Sequence, residues 1–373
     1  MTQPITPNPC MQQIPAMPIP PGLIPTLPAP SQPSQKPLIE NFTPDPATSH
    51  VNQLWEIKIL ELVYFPLTAT GDTLDINVTG DVGQSLADMR AHVETTSQAT
   101  KAALASGCHN TIGFRTMGRI EIHEGYPLTR GENYRPGGYN PPLVDYNTML
   151  KRFDIASWVK DKGVNWVWVW GYHGDVVTLW ESTMSSPYGN ISNSDRLKEL
   201  PPVADKSYTL FNFNYGRAET MALESIGHQL EAIWNYIDGR DTTDENEWGK
   251  LLFWGKFVGS DKTHMMKPVN GVYRRGWMHY APNSAIDYDW HNPRTVASDL
   301  DDWRPEGGGT VANVSAANWN PVDDGGLAWK IKWMQGIPRA NNGLTYQGKA
   351  ITNWWHFIGD FDGAIKAKMK LAV

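Results

Sequence analysis

Between Phe211 and Asp238 the chain reads FNFNYGRAETMALESIGHQLEAIWNYID, an alternating aromatic strand that passes within a few residues into a long helical segment. A strand feeding a helix this closely constrains the fold strongly, because the helix must return across the sheet it has just left. The same alternation recurs upstream. LWEIKILELVYF (54–65) reads as a strand, and Ser85 to Ala105 has helical spacing through Leu86, Met89, Val93 and Ala102, with Gly107 to stop it. RIEIHEGYPL (119–128) alternates as a second strand, and Asp145 is placed to cap one continuous helix, DYNTMLKRFDIASWVKDKG. VNWVWVWGYHG (164–174) is a buried strand and VVTLWES (176–182) another. The expected fold is α/β, a mixed sheet flanked by helices, with a long loop-rich C-terminal part.

That C-terminal part begins near residue 260, after a short helix over EWGKLLFWGKFVG, and a last helical piece is expected around NWWHFIGDFDGAI. Residues 1–48 differ in kind: they are Pro-rich and almost free of charge, which favours polyproline II and cannot build a core. They read as an extended arm or linker, and self-assembly through them is one expectation. Residues 49–373 read as a single elaborated α/β domain. A net charge of −7 argues against nucleic acid, whose binders carry basic patches. The apolar runs are too short to cross a bilayer, and the N-terminus has no signal-peptide pattern. Of the two cysteines, Cys10 lies in the arm and Cys108 follows a helix, so whether they pair stays open.

Three clusters carry chemistry. In E-S-I-G-H-Q-L-E, residues Glu224, His228 and Glu231 fall at i, i+4 and i+7, which puts them on one helical stripe. Carboxylates and an imidazole in an otherwise apolar helix are costly to bury unless a metal, a proton or a substrate uses them. Glu231 is either a further ligand, a catalytic carboxylate or a support for His228; the alternative is pairing of both glutamates with arginines such as Arg217. The second cluster runs from His279 to Arg294, HYAPNSAIDYDWHNPR, where Asp287, Asp289 and His291 alternate and would share a face if the segment were extended. The third is G-Y-H-G-D…W-E-S, which sets His173 and Glu181 at strand ends, where α/β sheets hold their ligands. Glu181, beside Trp180, is a candidate catalytic acid or base, and His173 and His279 are candidate metal ligands beside Glu224 and His228. The metal expected is a divalent ion, zinc or calcium.

The ordered motifs W-E-S-x-M, F-N-Y-G-R…L-E-S-I-G-H-Q-L-E and H-Y-A-P-N…D-Y-D-W-H-N-P-R resemble a family of uncharacterised, mostly secreted bacterial proteins, over roughly residues 55–360. That resemblance implies an extracellular or cell-surface location. Glu224, Gly227 and His228 are also remotely similar to the helix of zincin-type metallopeptidases, where two histidines flank a general-base glutamate. Here Glu224 takes the first ligand position and Ser225 the base position. A metal-dependent hydrolase, or a derivative that kept the site without the reaction, is therefore one expectation. The other is a non-catalytic surface or structural protein that binds glycans, peptides or sister subunits through its 17 tryptophans and its arm.

Overall fold

The computed structural model describes residues 42–129, 142–173, 176–194, 199–319 and 325–373. Most of the Pro-rich arm, residues 1–41, lies outside the described residues. Its end is tied down: Asp45 N donates to Thr116 O at 3.0 Å, and Thr116 N donates to the Asp45 carboxylate at 3.0 Å.

The main sheet is built from β1 (Trp55–Tyr64), followed by helix α1 (Leu86–Gly107) and strand β2 (Ile112–Ile122). Helices α2 (Tyr146–Arg152) and α3 (Ile155–Lys162) lead to β3 (Trp166–Gly171). Then come β4 (Ser182–Ser185), β5 (Tyr208–Asn214) and the long helix α4 (Glu219–Ile237); α5 (Leu327–Gln335) comes much later. The strand order is β2-β1-β3-β5-β4; the first four are parallel, and β4 pairs antiparallel at the edge. This is the mixed α/β sheet flanked by helices that the alternation predicts.

Residues 60 and 61 show the layering, since neighbours on a strand point to opposite faces. Glu61 accepts a short hydrogen bond from Ser97 of α1, whereas the Leu60 face meets Trp158 of α3, whose ring fills the space left by Gly118 of β2. Helices α1 and α3 therefore cover opposite faces. In this strand order the chain leaves β1 towards one edge and β3 towards the other, so the usual ligand crevice lies between their C-terminal ends. Here that edge is filled with aromatic rings. Tyr64, Tyr126, Tyr172 and Tyr215, each at or just beyond the end of one parallel strand, are all buried, and Tyr126 packs between Tyr64 and Tyr172 at 4.7 and 4.6 Å.

Several local expectations change; the strand read over 119–128 instead runs Ile112–Ile122, starting earlier and ending before His123. The helix predicted from Asp145 onward breaks at Phe153–Asp154, where Asp154 adopts φ 48° and accepts from Ser157, capping a second helix. Aspartate tolerates the left-handed region and is a strong N-cap, so the sequence carries its own interruption. The segment 176–181 is not a strand of the sheet. Its backbone bonds instead to 142–144 (Thr178 N to Pro142 O, 2.8 Å) and Trp180 N donates to the Tyr146 hydroxyl, leaving Ser182–Ser185 to pair with β5.

Beyond α4 regular structure thins into turns, as expected, and EWGKLLFWGKFVG forms a 3-10 turn (Glu245–Lys250) and one π-type turn (Leu252–Val258). NWWHFIGDFDGAI gives two short helices, His356–Gly359 and Phe361–Lys366. What holds the loops is tryptophan. None of the 17 is exposed, and among the described residues nine indole N–H groups donate to backbone carbonyls, including Trp234 to Trp354, Trp329 to Trp277 and Trp333 to Gly276. An indole buries a large apolar area and satisfies a loop carbonyl in the same contact, which replaces the ladders these segments lack. The core runs unbroken from Ile57 to Leu371. Among the described residues no helix is long and apolar enough to cross a membrane.

Candidate metal centre

Helix α4 is buried on nearly every side, with Leu223, Ile226, Leu230, Ile233 and Trp234 in the core. Its polar stripe is buried too: Glu224, His228 and Glu231 are 7%, 7% and 5% exposed. The stripe faces the tight turn Trp277–Tyr280, closed by reciprocal backbone bonds of 2.9 and 3.0 Å, with Met278 and His279 at its tip. Three contacts clamp that turn. Met278 lies directly on Gly227, where a Cβ would meet its sulfur at 2.6 Å. Met278 N donates to Glu231 Oε1 at 2.8 Å, and Met278 O accepts from Trp290 Nε1 at 2.9 Å.

The result is convergence. Glu224, His228 and His279 each offer one ligand atom within 4.8 Å of the others, and all three are buried. The two Nε2 atoms stand 2.8 Å apart with the rings nearly perpendicular, and His279 Nε2 is 3.5 Å from Glu224 Oε1. Each imidazole is backed by a carboxylate on its other nitrogen. His228 Nδ1 is 3.0 Å from Glu231 Oε2, and His279 Nδ1 is 3.0 Å from Asp287 Oδ1, the latter a charge contact without hydrogen-bond alignment. A carboxylate hydrogen-bonded to Nδ1 fixes an imidazole and turns its Nε2 outward, which is how metal-binding histidines are supported, and Glu231 does this for His228.

Glu224 is held by a fourth residue. Lys330 of α5, wholly buried, donates to Glu224 Oε2 at 2.6 Å and to Thr220 O at 3.0 Å, with its ammonium 4.8 Å from the centre of the Trp290 ring. Burial alone would raise the Glu224 carboxyl, but the His279 hydrogen bond and the charges of Lys330, His228 and His279 outweigh it and bring it down to about 2. Glu224 is thus a carboxylate at any working pH, with Oε2 occupied and Oε1 turned to the imidazoles. These three side chains can hold a metal ion. Two nitrogens bound tetrahedrally to one zinc-sized ion at 2.0–2.1 Å would be about 3.3 Å apart, so the imidazoles need open by only about half an ångström.

Of the residues singled out from sequence, the fold brings together Glu224, His228, His279 and Glu231. It sets His173 just past the end of β3 and Glu181 just before β4, and neither belongs to the convergent group. Glu181 accepts from Asn193 Nδ2 at 2.6 Å. The glutamates do not pair with Arg217; Lys330 and His228 take them. The segment 283–292 is a chain of turns rather than a strand, so Asp287, Asp289 and His291 do not act as one face. Asp287 turns to His279, while Asp289 binds Ala285 N and Asn292 within its own loop. Lys330 was missed by sequence reasoning. Its signal is the phase of AWKIKW: Trp329, Trp333 and Met334 define a buried face, and Lys330 falls on it.

Compared with known protein families, curated proteins and solved structures, the chain finds no match.

Proposed function

We propose that the protein binds one divalent transition-metal ion through Glu224 Oε1, His228 Nε2 and His279 Nε2, and uses it as a Lewis acid in a hydrolytic reaction outside the cell. The observation that supports this reading is the pair of imidazoles facing one point, each with a carboxylate at its back. Charge supports it as well. Three carboxylates, Glu224, Glu231 and Asp287, converge on the two imidazoles, and an acidic surrounding of this kind suits a divalent cation. Two nitrogens and one carboxylate favour zinc or a similar ion over calcium, which takes oxygen ligands. Three protein ligands leave a position for water or substrate, which distinguishes catalytic from structural sites. Glu231 spends one oxygen on His228 and the other on Met278 N, so in this reading it orients rather than reacts.

Elemental analysis of purified protein tests the proposal. One equivalent of metal is expected, and its loss in His228→Ala; protein that carries no metal, and takes up none when dialysed against zinc, would sink it. The 2.8 Å separation of the imidazoles favours a second reading in that case: a proton shared between His228 and His279, in a relay from Glu231 to Asp287.

A further inference from the structure

Away from the α4 centre, several loops meet around a cleft of about 330 Å³. The 3-10 turn and the π-type turn line it through Gly249, Gly255 and Lys256, and later loops add Glu306 and Tyr346. Arg274 is the most deeply buried charge in the lining, at 7% exposure. Its Nη1 donates to Asp299 Oδ2 and Arg304 O. Nε is buried without a hydrogen-bond partner, and among the described residues Nη2 has none either. Nη2 stands beside the stretch from Pro305 to Gly307, 3.8 Å from where a Cβ on Gly307 would lie. Nε–H and Nη2–H form one parallel edge of a guanidinium, and such an edge grips a carboxylate with two hydrogen bonds. In Arg274 that edge is unused.

The charges nearby agree. Arg275, next in the chain, is 5% exposed and donates to Leu300 O. Among the described residues Asp299 is the only carboxylate paired with either arginine, so buried positive charge is in surplus. Lys256 is half-buried in the lining, and among the described residues its ammonium has no ion pair. Glu306 is the one acid in the lining; it is exposed and accepts from Gln347 N at 3.1 Å. One acid beside two cations admits a single negative charge and disfavours a second. Tyr346 and Val269, the latter 53% exposed, add apolar surface to the same cleft.

We propose that this cleft binds a small monocarboxylate. Its two oxygens take the Nε–Nη2 edge of Arg274, Lys256 shares its charge, and an uncharged body lies against Tyr346 and Val269. The site does not depend on the metal reading.

Benzoate, benzamide and inorganic phosphate test it. Benzoate and benzamide share a shape and differ in charge, whereas phosphate carries charge without an apolar body. Calorimetry is expected to show benzoate binding at roughly millimolar Kd, with benzamide and phosphate each about tenfold weaker or more. Lys256→Met keeps the apolar stem and loses the charge, and should weaken benzoate about tenfold. Glu306→Gln keeps an acceptor for Gln347 N and removes a like charge, so it should tighten benzoate about two- to threefold. Both positions are partly or fully exposed, and melting curves close to that of the parent will show that the variants fold. No benzoate binding, equal binding of benzamide, or an affinity untouched by Lys256→Met would overturn the proposal. Phosphate binding more tightly than benzoate, or Glu306→Gln weakening benzoate, would overturn the assignment of a monocarboxylate.

Discussion

Two buried charged clusters sit on opposite sides of the same question. Under α1, Glu61 is wholly buried yet fully served: Arg119 binds its Oε2 at 2.5–2.6 Å, and hydroxyls of Ser97 and Thr116 take Oε1. Arg119 also reaches Glu94, and Asp45 takes Lys101. Every carboxylate there has a cation. At the α4 centre only Glu224 does; Glu231 and Asp287 face imidazoles, and the imidazoles face each other. Desolvating a charge is tolerated when its partner comes with it. The Glu61 network is complete as it stands, so its role is to fix β1, β2 and α1 in register. In the proposed reading a cation completes the α4 cluster, and the identity of the partners, more than burial, distinguishes the two clusters.

The contrast can be broken in several places. Glu61→Ala leaves Arg119 without its buried partner and should cost about 3–5 kcal/mol in urea unfolding, with metal content of the folded protein unchanged. A change in metal content there would erase the distinction. His228→Ala should abolish metal binding, and because it also leaves buried Glu231 Oε2 without its partner, the metal-free variant should be about 1–3 kcal/mol less stable than the metal-free parent. In the parent, a chelator should lower the melting temperature, because the ion binds only the folded state.

Asp238, at the C-terminal end of α4, is a half-buried carboxyl that meets backbone N–H rather than a cation. Burial pushes it up to about 6, although Phe253 N donates to it. Its folded pKa lies above the unfolded value, so its contribution to stability is whole below about pH 4 and is lost as pH rises through 6. From 3.8 to about 6, the effect is at most about 3 kcal/mol. Asp238→Asn should flatten that part of the stability–pH curve and raise stability at pH 8; an unchanged slope would show that Asp238 is solvated. The smallest effect belongs to Glu231→Gln, which keeps the shape but weakens the support behind His228. It should lower zinc affinity by roughly ten- to a hundredfold in competition titrations, whereas Asn at Asp289, which binds only its own loop, should not.

Much of this was legible in the sequence, and what was not has a common cause. Periodicity within one element located α4 and the shared stripe of Glu224, His228 and Glu231, and strand–helix alternation predicted the sheet. The break at Asp154 was legible too, since an aspartate in mid-helix is a cap in waiting, but an uninterrupted apolar pattern outweighs it. Partners from other elements were harder. His279 stood out as a chemistry-bearing residue, yet its meeting with His228 spans 51 positions and rests on Met278 docking, which no local pattern encodes. Asp287, Asp289 and His291 would share a face only if extended; the turn signals at Pro282-Asn283 and Asn292-Pro293 equally offered a loop, and a loop forms. The tryptophans read as core before platforms, and burial places all of them in or against the core.

Gly227 was noticed only as a faint likeness of motif, but its place beneath Met278 gives it a mechanical meaning. The missing side chain sets how closely the 277–280 turn approaches α4, and hence the gap across which His228 and His279 reach for one another. A methyl group there would wedge turn and helix apart and widen that gap. If the proposed ion is bound there, its preferred radius would be adjustable from a residue that never touches it.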